Sequence, residues 1–192
     1  VVNPFLISAH EVTTDQFINH APTEQRNFPE DCEARDGVAC PVVGVSLAEA
    51  AFYANAESLI ARLEPCYDLD RCRQDPVTKV VTCCVDGDNE GCGQVRYRAQ
   101  YAENPGACPG YRLPHAAEWE YAARGGDNGA FFFSTSIGEN GDENDALLAH
   151  ANTLGLGPVS MVGMRRPNPL GLYDIYGNVS EWTDSAADPG QG

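Results

Sequence analysis

The sequence predicts an α+β fold that is rich in loops, and three observations support this prediction. Helix signals begin near Thr13, Ser46 and Pro114. Two segments, PFLISAHEV near the start and QVRYRAQY near the middle, have the composition or alternation of short strands. The final third, after Gly126, is rich in glycine, asparagine and aspartate and contains no long periodic element. We therefore expect few helices, short strands and a large share of irregular structure.

The three predicted helices have recognisable ends. Thr13 is a candidate N-cap for the first helix, and Ser46 with Glu49 has the spacing of a capping box for the second and longest one. The third helix has Pro114 in its predicted first turn, where a missing N–H costs nothing. Gly125 lies just past its end, where a left-handed residue commonly terminates a helix.

Length and charge limit the possible classes of protein. The 192 residues predict a single domain over 1–192, with a cysteine-rich insert at about 65–110. The 28 acidic and 12 basic residues give a formal net charge of −16, which disfavours nucleic acid as a partner. No apolar run is long enough for a transmembrane helix. The chain starts at Val1 without a leader-like pattern, so we expect any export signal to lie outside this sequence.

The chain contains eight cysteines, an even number in loop-rich surroundings. This pattern favours disulfides in an oxidising compartment. Zinc thiolates, or disulfides mixed with free thiols, are the alternatives, although the close pairs typical of zinc sites are missing. Only the pairing of Cys32 with Cys40, across a short polar loop, is favoured by the sequence. The cysteines are Cys32, Cys40, Cys66, Cys72, Cys83, Cys84, Cys92 and Cys108.

Three motifs, in this order, resemble the formylglycine-generating enzyme, or sulfatase-modifying-factor, family. They are PVVGVSLAEAAFYANAES, GYRLPHAAEWEYAARGG and PNPLGLYDIYGNVSEWT, and the opening PFLISAHEVTTDQF is similar to the start of the family pattern. The resemblance spans nearly the whole chain except the cysteine-rich insert. It implies a variant of the C-type lectin fold, with few helices, a small twisted sheet and ordered loops.

The resemblance also implies a calcium site in the last motif. The positions that match the family's ligands are the side chains of Asp174 and Glu181 and the carbonyl groups of Gly177 and Val179. Calcium takes six to eight oxygen ligands in a flexible geometry, which such a loop supplies. Tyr173 and Trp182 are expected to pack beneath the loop, as the bulkier apolar groups of the motif. The alternative is an ordinary Gly-Asn turn whose acidic side chains are in water.

A second calcium site of the family matches this sequence only in part. Asn152 and the carbonyl group of Thr153 occupy two of the matching positions. The acidic side chain expected a few residues later is missing, because the following text is LGLGPVSMVG. The sequence therefore predicts one calcium site and leaves the second in doubt.

Catalysis is not supported by the residues of this chain. The family's name reaction oxidises a cysteine of a sulfatase to formylglycine with oxygen and a copper ion held by two cysteines, and none of the eight cysteines matches that pair. Ser180 also stands where the oxidising enzymes tend to have tryptophan. We expect a calcium- and disulfide-stabilised module, extracellular, periplasmic or associated with a bacterial envelope, that binds a protein or glycan. The alternative is an oxygenase whose copper ligands lie on sequence beyond Gly192.

Overall fold

The protein was analysed as a computed structural model. The structure describes residues 4–20, 29, 32, 39–70, 72–74, 81–83, 95–127, 129, 131–132, 149–152 and 158–184. The chain forms two compact units. The central unit comprises Thr14–Asn27 and Gly44–Leu113, and the terminal unit comprises Val1–Thr13, Phe28–Val43 and Pro114–Gly192. Over the described residues, no helix is both long and apolar enough to cross a lipid bilayer.

The central unit contains two helices, α1 at Thr14–His20 and α2 at Leu47–Ile60. The capping box predicted for α2 is confirmed: the Glu49 N–H donates to Oγ of Ser46 at 3.2 Å, and the Ser46 N–H donates to Oε2 of Glu49 at 2.8 Å. These bonds satisfy donors that the first turn of a helix otherwise leaves unpaired. The helix therefore begins where the sequence predicts.

Helix α3, at Ala116–Arg124, belongs to the terminal unit. Gly125 follows it with a φ of 59°, which confirms the predicted left-handed end. The start of the helix differs from the prediction. His115 is the N-cap and accepts a hydrogen bond from the Ala117 N–H at 3.3 Å, so Pro114 precedes the cap and is not in the first turn.

The described strands are short and pair two by two. They are β1 Tyr67–Asp68, β2 Cys72–Gln74, β3 Val81–Cys83, β4 Arg96–Tyr97, β5 Ala151–Asn152 and β6 Tyr176–Gly177. In the central unit, β1 pairs antiparallel with β4 and β2 pairs antiparallel with β3. In the terminal unit, β5 pairs parallel with β6.

Of the two segments with strand-like composition, only the second contains a strand. Strand β4 lies within QVRYRAQY, as predicted. The described segment 4–12 contains no strand, and its neighbour Thr13 forms only an isolated bridge with Pro41. Phe5 and Ile7 nevertheless pack against a buried cluster, so the apolar residues of this segment are used in packing without a paired strand.

All six described cysteines form disulfides, which confirms the disulfide prediction for them. Cys32 bonds to Cys40, the pairing that the sequence favours. Cys66 bonds to Cys108 and Cys72 bonds to Cys83, both within the central unit. Cys84 and Cys92 lie outside the described residues.

Each unit has its own buried apolar clusters. One cluster of the central unit surrounds the Cys66–Cys108 disulfide and includes Ala51, Ala54 and Tyr67. The amide of Asn55, on α2, bonds both backbone groups of Tyr67, at 3.0 and 3.1 Å, and so fixes β1 against the helix. In the terminal unit, the cluster joins the end of α3 to the segment that precedes β6. Its buried members are Ala122, Ala123, Leu172 and Ile175.

Candidate metal centre

The motif GLYDIYGNVSEWT occupies positions 171–183 of the terminal unit. Leu172 and Ile175 anchor it in the apolar cluster against α3. Its short strand β6 pairs with β5, and Asn152 is in register with Gly177. The acidic side chains of the motif are thus fixed by a buried apolar anchor on one side and by a strand pair on the other.

The motif begins at Gly171, whose φ is 82°, and its backbone turns sharply at three further residues with positive φ. Asp174 has a φ of 54°, Gly177 of 110° and Asn178 of 60°. A φ of 110° is accessible to glycine and costly for other residues, whereas aspartate and asparagine tolerate the left-handed region better than most. The residue types of the motif therefore match the conformation that places their side chains.

Asp174 is almost completely buried, with 1% of its surface exposed. The Gly163 N–H donates to Oδ2 of Asp174 at 2.5 Å, whereas Oδ1 has no hydrogen-bond partner. Burial raises the pKa of this carboxyl group, against the lowering effect of the Gly163 and Arg165 backbone groups. A buried, charged oxygen without a partner is unfavourable unless something else neutralises it.

A second buried carboxyl group, that of Glu11, lies beside Asp174. Glu11 is 8% exposed, and its Oε1 accepts a hydrogen bond from Nδ2 of Asn178 at 2.9 Å. Its Oε2 has no hydrogen-bond partner. Burial raises the pKa of Glu11 to about 7, and the charges of Asp174 and Glu181 act in the same direction. The sequence motifs do not mark Glu11 as part of the site; its only signal is its place in the family-like opening segment.

Glu181 is held by an indole group. Nε1 of Trp119 donates to Oε2 of Glu181 at 2.8 Å. The side chain is partly exposed, but loss of hydration around the carboxylate raises its pKa, and the Asp174 charge raises it further. The structure thus brings Glu181 within electrostatic range of Asp174. Trp182, which was expected to pack beneath the loop, is 49% exposed; the apolar residues of the motif in the buried cluster are Leu172 and Ile175.

The side chain of Asn178 links several segments around the acidic loop through hydrogen bonds. Its Oδ1 accepts hydrogen bonds from Nδ2 of Asn152 at 3.1 Å and from the Ser160 N–H at 2.9 Å. Its Nδ2 donates to the Ser160 carbonyl group at 3.1 Å as well as to Glu11. Of the two residues predicted for a second calcium site, Asn152 belongs to this network, and its Nδ2 also donates to the Pro158 carbonyl group at 3.1 Å. Thr153 lies outside the described residues.

The carboxyl groups of Glu11, Asp174 and Glu181 lie close enough for their charges to act on one another. Within the described part of the chain, no three or more His, Cys, Asp and Glu side chains form a metal-binding group by themselves. Calcium does not require such a group, because carbonyl oxygens and water complete its shell. The two unpaired buried oxygens of Glu11 and Asp174 fit a hard cation, and oxygen-only donors suit calcium better than a soft metal.

The loop-rich α+β fold and the acidic loop are the features that the three sequence motifs lead us to expect. A family model described as "Sulfatase-modifying factor enzyme 1-like domain" matches residues 1–192. The chain therefore belongs to the formylglycine-generating, sulfatase-modifying family, as the three motifs indicate.

The chain is similar to proteins that have different names. The "Chaperone protein LppX" of Paenibacillus barcinonensis is 30% identical over 94% of this chain and 62% of that protein. The formylglycine-generating enzyme of Mycobacterium tuberculosis is 38% identical, but over only 42% of this chain and 29% of the enzyme. The structure of Treponema denticola variable protein 1 has a TM-score of 0.56 over 90% of this chain and 59% of that one, at 24% identity, which supports the fold alone.

Proposed function

We propose that this chain is a calcium- and disulfide-stabilised module of an exported protein, and that it binds a protein partner. The chain spans less than two thirds of the first relatives it matches, so the proposal concerns this module and not a whole protein. The proposed location is extracellular, periplasmic or at a cell envelope. Its support is the set of disulfides in the described residues, which persist in oxidising compartments.

The calcium part of the proposal rests on the buried carboxyl groups. Asp174, Glu181 and the carbonyl groups of Gly177 and Val179 are the proposed ligands. Oδ1 of Asp174 is buried without a hydrogen-bond partner, which is the expected condition of an atom whose partner is a metal ion. When bound, calcium would stabilise the fold by neutralising the loop, with no part in catalysis. The second site, at Asn152 and Thr153, has no carboxylate and is not included.

The binding part of the proposal rests on an exposed apolar surface in the central unit. We define the α2 patch as Leu59, Ile60, Leu63 and Tyr111, which are 64%, 58%, 38% and 52% exposed. These residues lie together, because the Tyr111 N–H donates to Oγ of Ser58 at 2.8 Å and the Leu63 N–H donates to the Ser58 carbonyl group at 2.7 Å. Grouped large apolar side chains on a surface mark an interaction site more often than single ones do.

A close backbone contact fixes Tyr111 at the end of α2. A Cβ atom added at Gly110 would lie 2.2 Å from the Glu64 carbonyl oxygen and 2.6 Å from Oγ of Ser58. Only glycine allows the chain to pass so close to the helix end. The α2 patch is therefore built by a tight backbone approach, and its shape is fixed before a partner arrives.

The proposed partner is a polypeptide segment with apolar and basic side chains. Apolar side chains match the α2 patch, and basic ones match the net charge of −16. Among the two partner classes that the sequence leaves open, protein is favoured because the relative aligned over 94% of this chain is named a chaperone. Glycan binding is the alternative within this proposal.

The test uses fluorescently labelled peptides of alternating apolar and basic residues, with binding followed by anisotropy. Ile60→Ser and Tyr111→Ser should each weaken binding by about fivefold or more. Leu170→Ser is the matched control, because Leu170 is also exposed, at 54%, but belongs to the terminal unit. Absence of binding, or equal losses in the control, would contradict the proposed surface.

Oxidation of a sulfatase cysteine to formylglycine is the second candidate function, supported by the match to the formylglycine-generating enzyme. That match covers less than half of this chain, whereas the match to the chaperone covers nearly all of it. Copper would be required only for this alternative. Incubation with a cysteine-containing sulfatase peptide, copper and oxygen should leave the peptide mass unchanged; the mass loss of formylglycine formation would favour the enzyme.

A further inference from the structure

Glu64 lies at the edge of the α2 patch, and two observations place it there. It directly follows Leu63, a member of the patch, in the chain. A Cβ atom added at Gly110 would lie 2.2 Å from the Glu64 carbonyl oxygen, so the segment that carries Tyr111 passes directly against Glu64. Glu64 is itself exposed. An acidic side chain that a partner can reach therefore borders the apolar surface.

Two donors hold the carboxylate of Glu64 in place. The hydroxyl group of Tyr101 donates to Oε2 at 2.6 Å, and Nε2 of Gln100 donates to Oε1 at 2.7 Å. Tyr101 belongs to a one-turn 3₁₀ helix at Ala99–Tyr101, and it packs against the buried cluster around the Cys66–Cys108 disulfide. The carboxylate is thus fixed from a rigid part of the unit, whereas an exposed glutamate without such bonds samples many rotamers.

The carboxylate of Glu64 stays ionised and has room for a further partner. The hydrogen bond from Tyr101 lowers its pKa, and the bond from Gln100 and the charge of Arg98 act in the same direction, against desolvation. An ionised carboxylate has about four acceptor positions, so the two bonds leave about half of them open. Among the described residues, no basic side chain forms an ion pair with Glu64. The unit therefore presents a positioned negative charge beside the patch.

We propose that Glu64 binds a basic side chain of the polypeptide partner while the α2 patch binds the apolar side chains next to it. This inference rests on the proposed binding function and adds the residue that selects the partner. An apolar surface alone accepts any apolar segment, whereas a fixed charge at its edge favours lysine or arginine over a neutral or acidic residue. Because Tyr101 and Gln100 already fix the carboxylate, binding costs less side-chain entropy than it would for a free glutamate.

A purely structural role is the alternative for Glu64, because its two bonds join the end of α2 to the Ala99–Tyr101 turn. That role needs an acceptor oxygen but no charge. Glu64→Gln keeps an oxygen for the Tyr101 hydroxyl group, and the amide of Gln100 can present either its oxygen or its N–H₂ group to the new side chain. The substitution therefore removes the charge and retains the link, and the variant should melt as the wild type does.

The test compares two labelled peptides by anisotropy, one of alternating leucine and lysine and one in which glutamine replaces each lysine. Glu64→Gln should weaken binding of the leucine–lysine peptide by about fivefold at low ionic strength, the upper range for one exposed ion pair. It should leave binding of the leucine–glutamine peptide unchanged. Added salt should reduce the difference between wild type and variant. Equal losses for the two peptides would favour the purely structural role and contradict the proposal.

Asp70→Asn is the matched control, because it also removes one negative charge from an exposed side chain of the central unit. Both variants reduce the long-range attraction for a basic peptide to a similar extent, so a larger loss in Glu64→Gln reports the local contact. If the wild type binds neither peptide, the α2 patch is wrong and this inference fails with it. If Ile60→Ser weakens binding but Glu64→Gln loses no more than Asp70→Asn, the patch is right and only the role of Glu64 is wrong.

Glu64→Lys covers the case in which the loss in Glu64→Gln comes from a disturbed surface. With the charge reversed, this variant should bind a leucine–glutamate peptide at least fivefold more tightly than the wild type does. A disturbed surface would weaken binding of every peptide and could not produce this gain. Absence of the gain, in a variant that melts as the wild type does, would overturn the assignment of Glu64.

Discussion

The described parts of the cysteine-rich region at 65–110 and the loop region at 158–184 both contain little regular structure, but different interactions stabilise them. The first contains the Cys66–Cys108 disulfide, buried among alanine and tyrosine side chains, and a second disulfide that spans β2 and β3. The second has no cysteine and places asparagine and acidic side chains in its interior. A covalent cross-link acts regardless of pH and ions, whereas buried carboxyl groups make the stability of a loop depend on both.

Removal of the Cys66–Cys108 disulfide should have the largest effect. The bond closes a loop over 42 residues, and restricting the unfolded chain to that extent stabilises the fold by about 4 kcal/mol in the chain-entropy model. The double variant Cys66→Ala/Cys108→Ala should lower the free energy of unfolding, measured with urea, by about this amount.

The shorter Cys72–Cys83 bond provides the comparison. It spans 11 residues, for which the same model gives about 3 kcal/mol. Removing it should therefore cost less than removing Cys66–Cys108. The opposite ranking would mean that packing around the sulfur atoms, and not loop length, determines how the cysteine-rich region is stabilised.

The loop region should respond to pH when no metal ion is present. Glu11 has a folded-state pKa of about 7, above its ordinary 4.5, because it is buried. The folded state therefore binds more protons than the unfolded state between these values, and its stabilising contribution is complete below pH 4.5 and lost as the pH rises through 7. In EGTA, the free energy of unfolding should fall by about 3 kcal/mol between pH 4.5 and pH 8.

Glu11→Gln is the check on this pH dependence. The variant has no titrating group at position 11, so most of the decrease over this range should disappear. A wild-type stability that rises with pH in EGTA would contradict the assignment, because it would require the carboxyl groups that dominate the response to have lowered pKa values.

Asn178→Ala should reduce stability by about 2 kcal/mol, measured by urea unfolding at one calcium concentration. The side chain is 2% exposed and bonds Glu11, Asn152 and Ser160, so its removal leaves several buried groups unpaired. Ser160→Ala removes a hydroxyl group but keeps the Ser160 backbone contacts, and it should cost less. Equal effects would mean that the Asn178 amide is not the centre of the network.

The sequence predicts features that depend on neighbouring residues better than contacts between residues far apart in the chain. Ser46 with Glu49, and Gly125, mark helix ends through contacts within a few residues, and both are found. The short Cys32–Cys40 pairing is found as well. In contrast, no spacing rule indicates that Cys66 meets Cys108, because the partner is chosen by the folded path of the chain.

The same limit applies to the candidate metal centre. Asp174 and Glu181 share one motif, so their proximity follows from the local turn. Glu11 reaches them from the other end of the sequence, and nothing near it marks its carboxylate as a partner of Asp174. The segment around Glu11 has strand-like composition but finds no strand to pair with, so composition alone also gave the wrong local structure there.

The smallest expected effect is the calcium response of the loop region. Extracellular calcium modules commonly have dissociation constants of about 10⁻⁴ to 10⁻³ M, and calcium at ten times that value adds about 1.4 kcal/mol to the free energy of unfolding. For a chain of this size, the melting temperature should rise by about 3 to 5 °C. Asp174→Asn should lose this rise, because the amide supplies one neutral oxygen where the ion requires a charged ligand.

Glu120→Gln should retain the rise in melting temperature, since that carboxylate is exposed and bonded to Arg124. The double variant Cys66→Ala/Cys108→Ala, if it folds, should also retain the rise. Loss of the calcium response in that variant would mean that the disulfide-stabilised region and the acidic loop do not act independently.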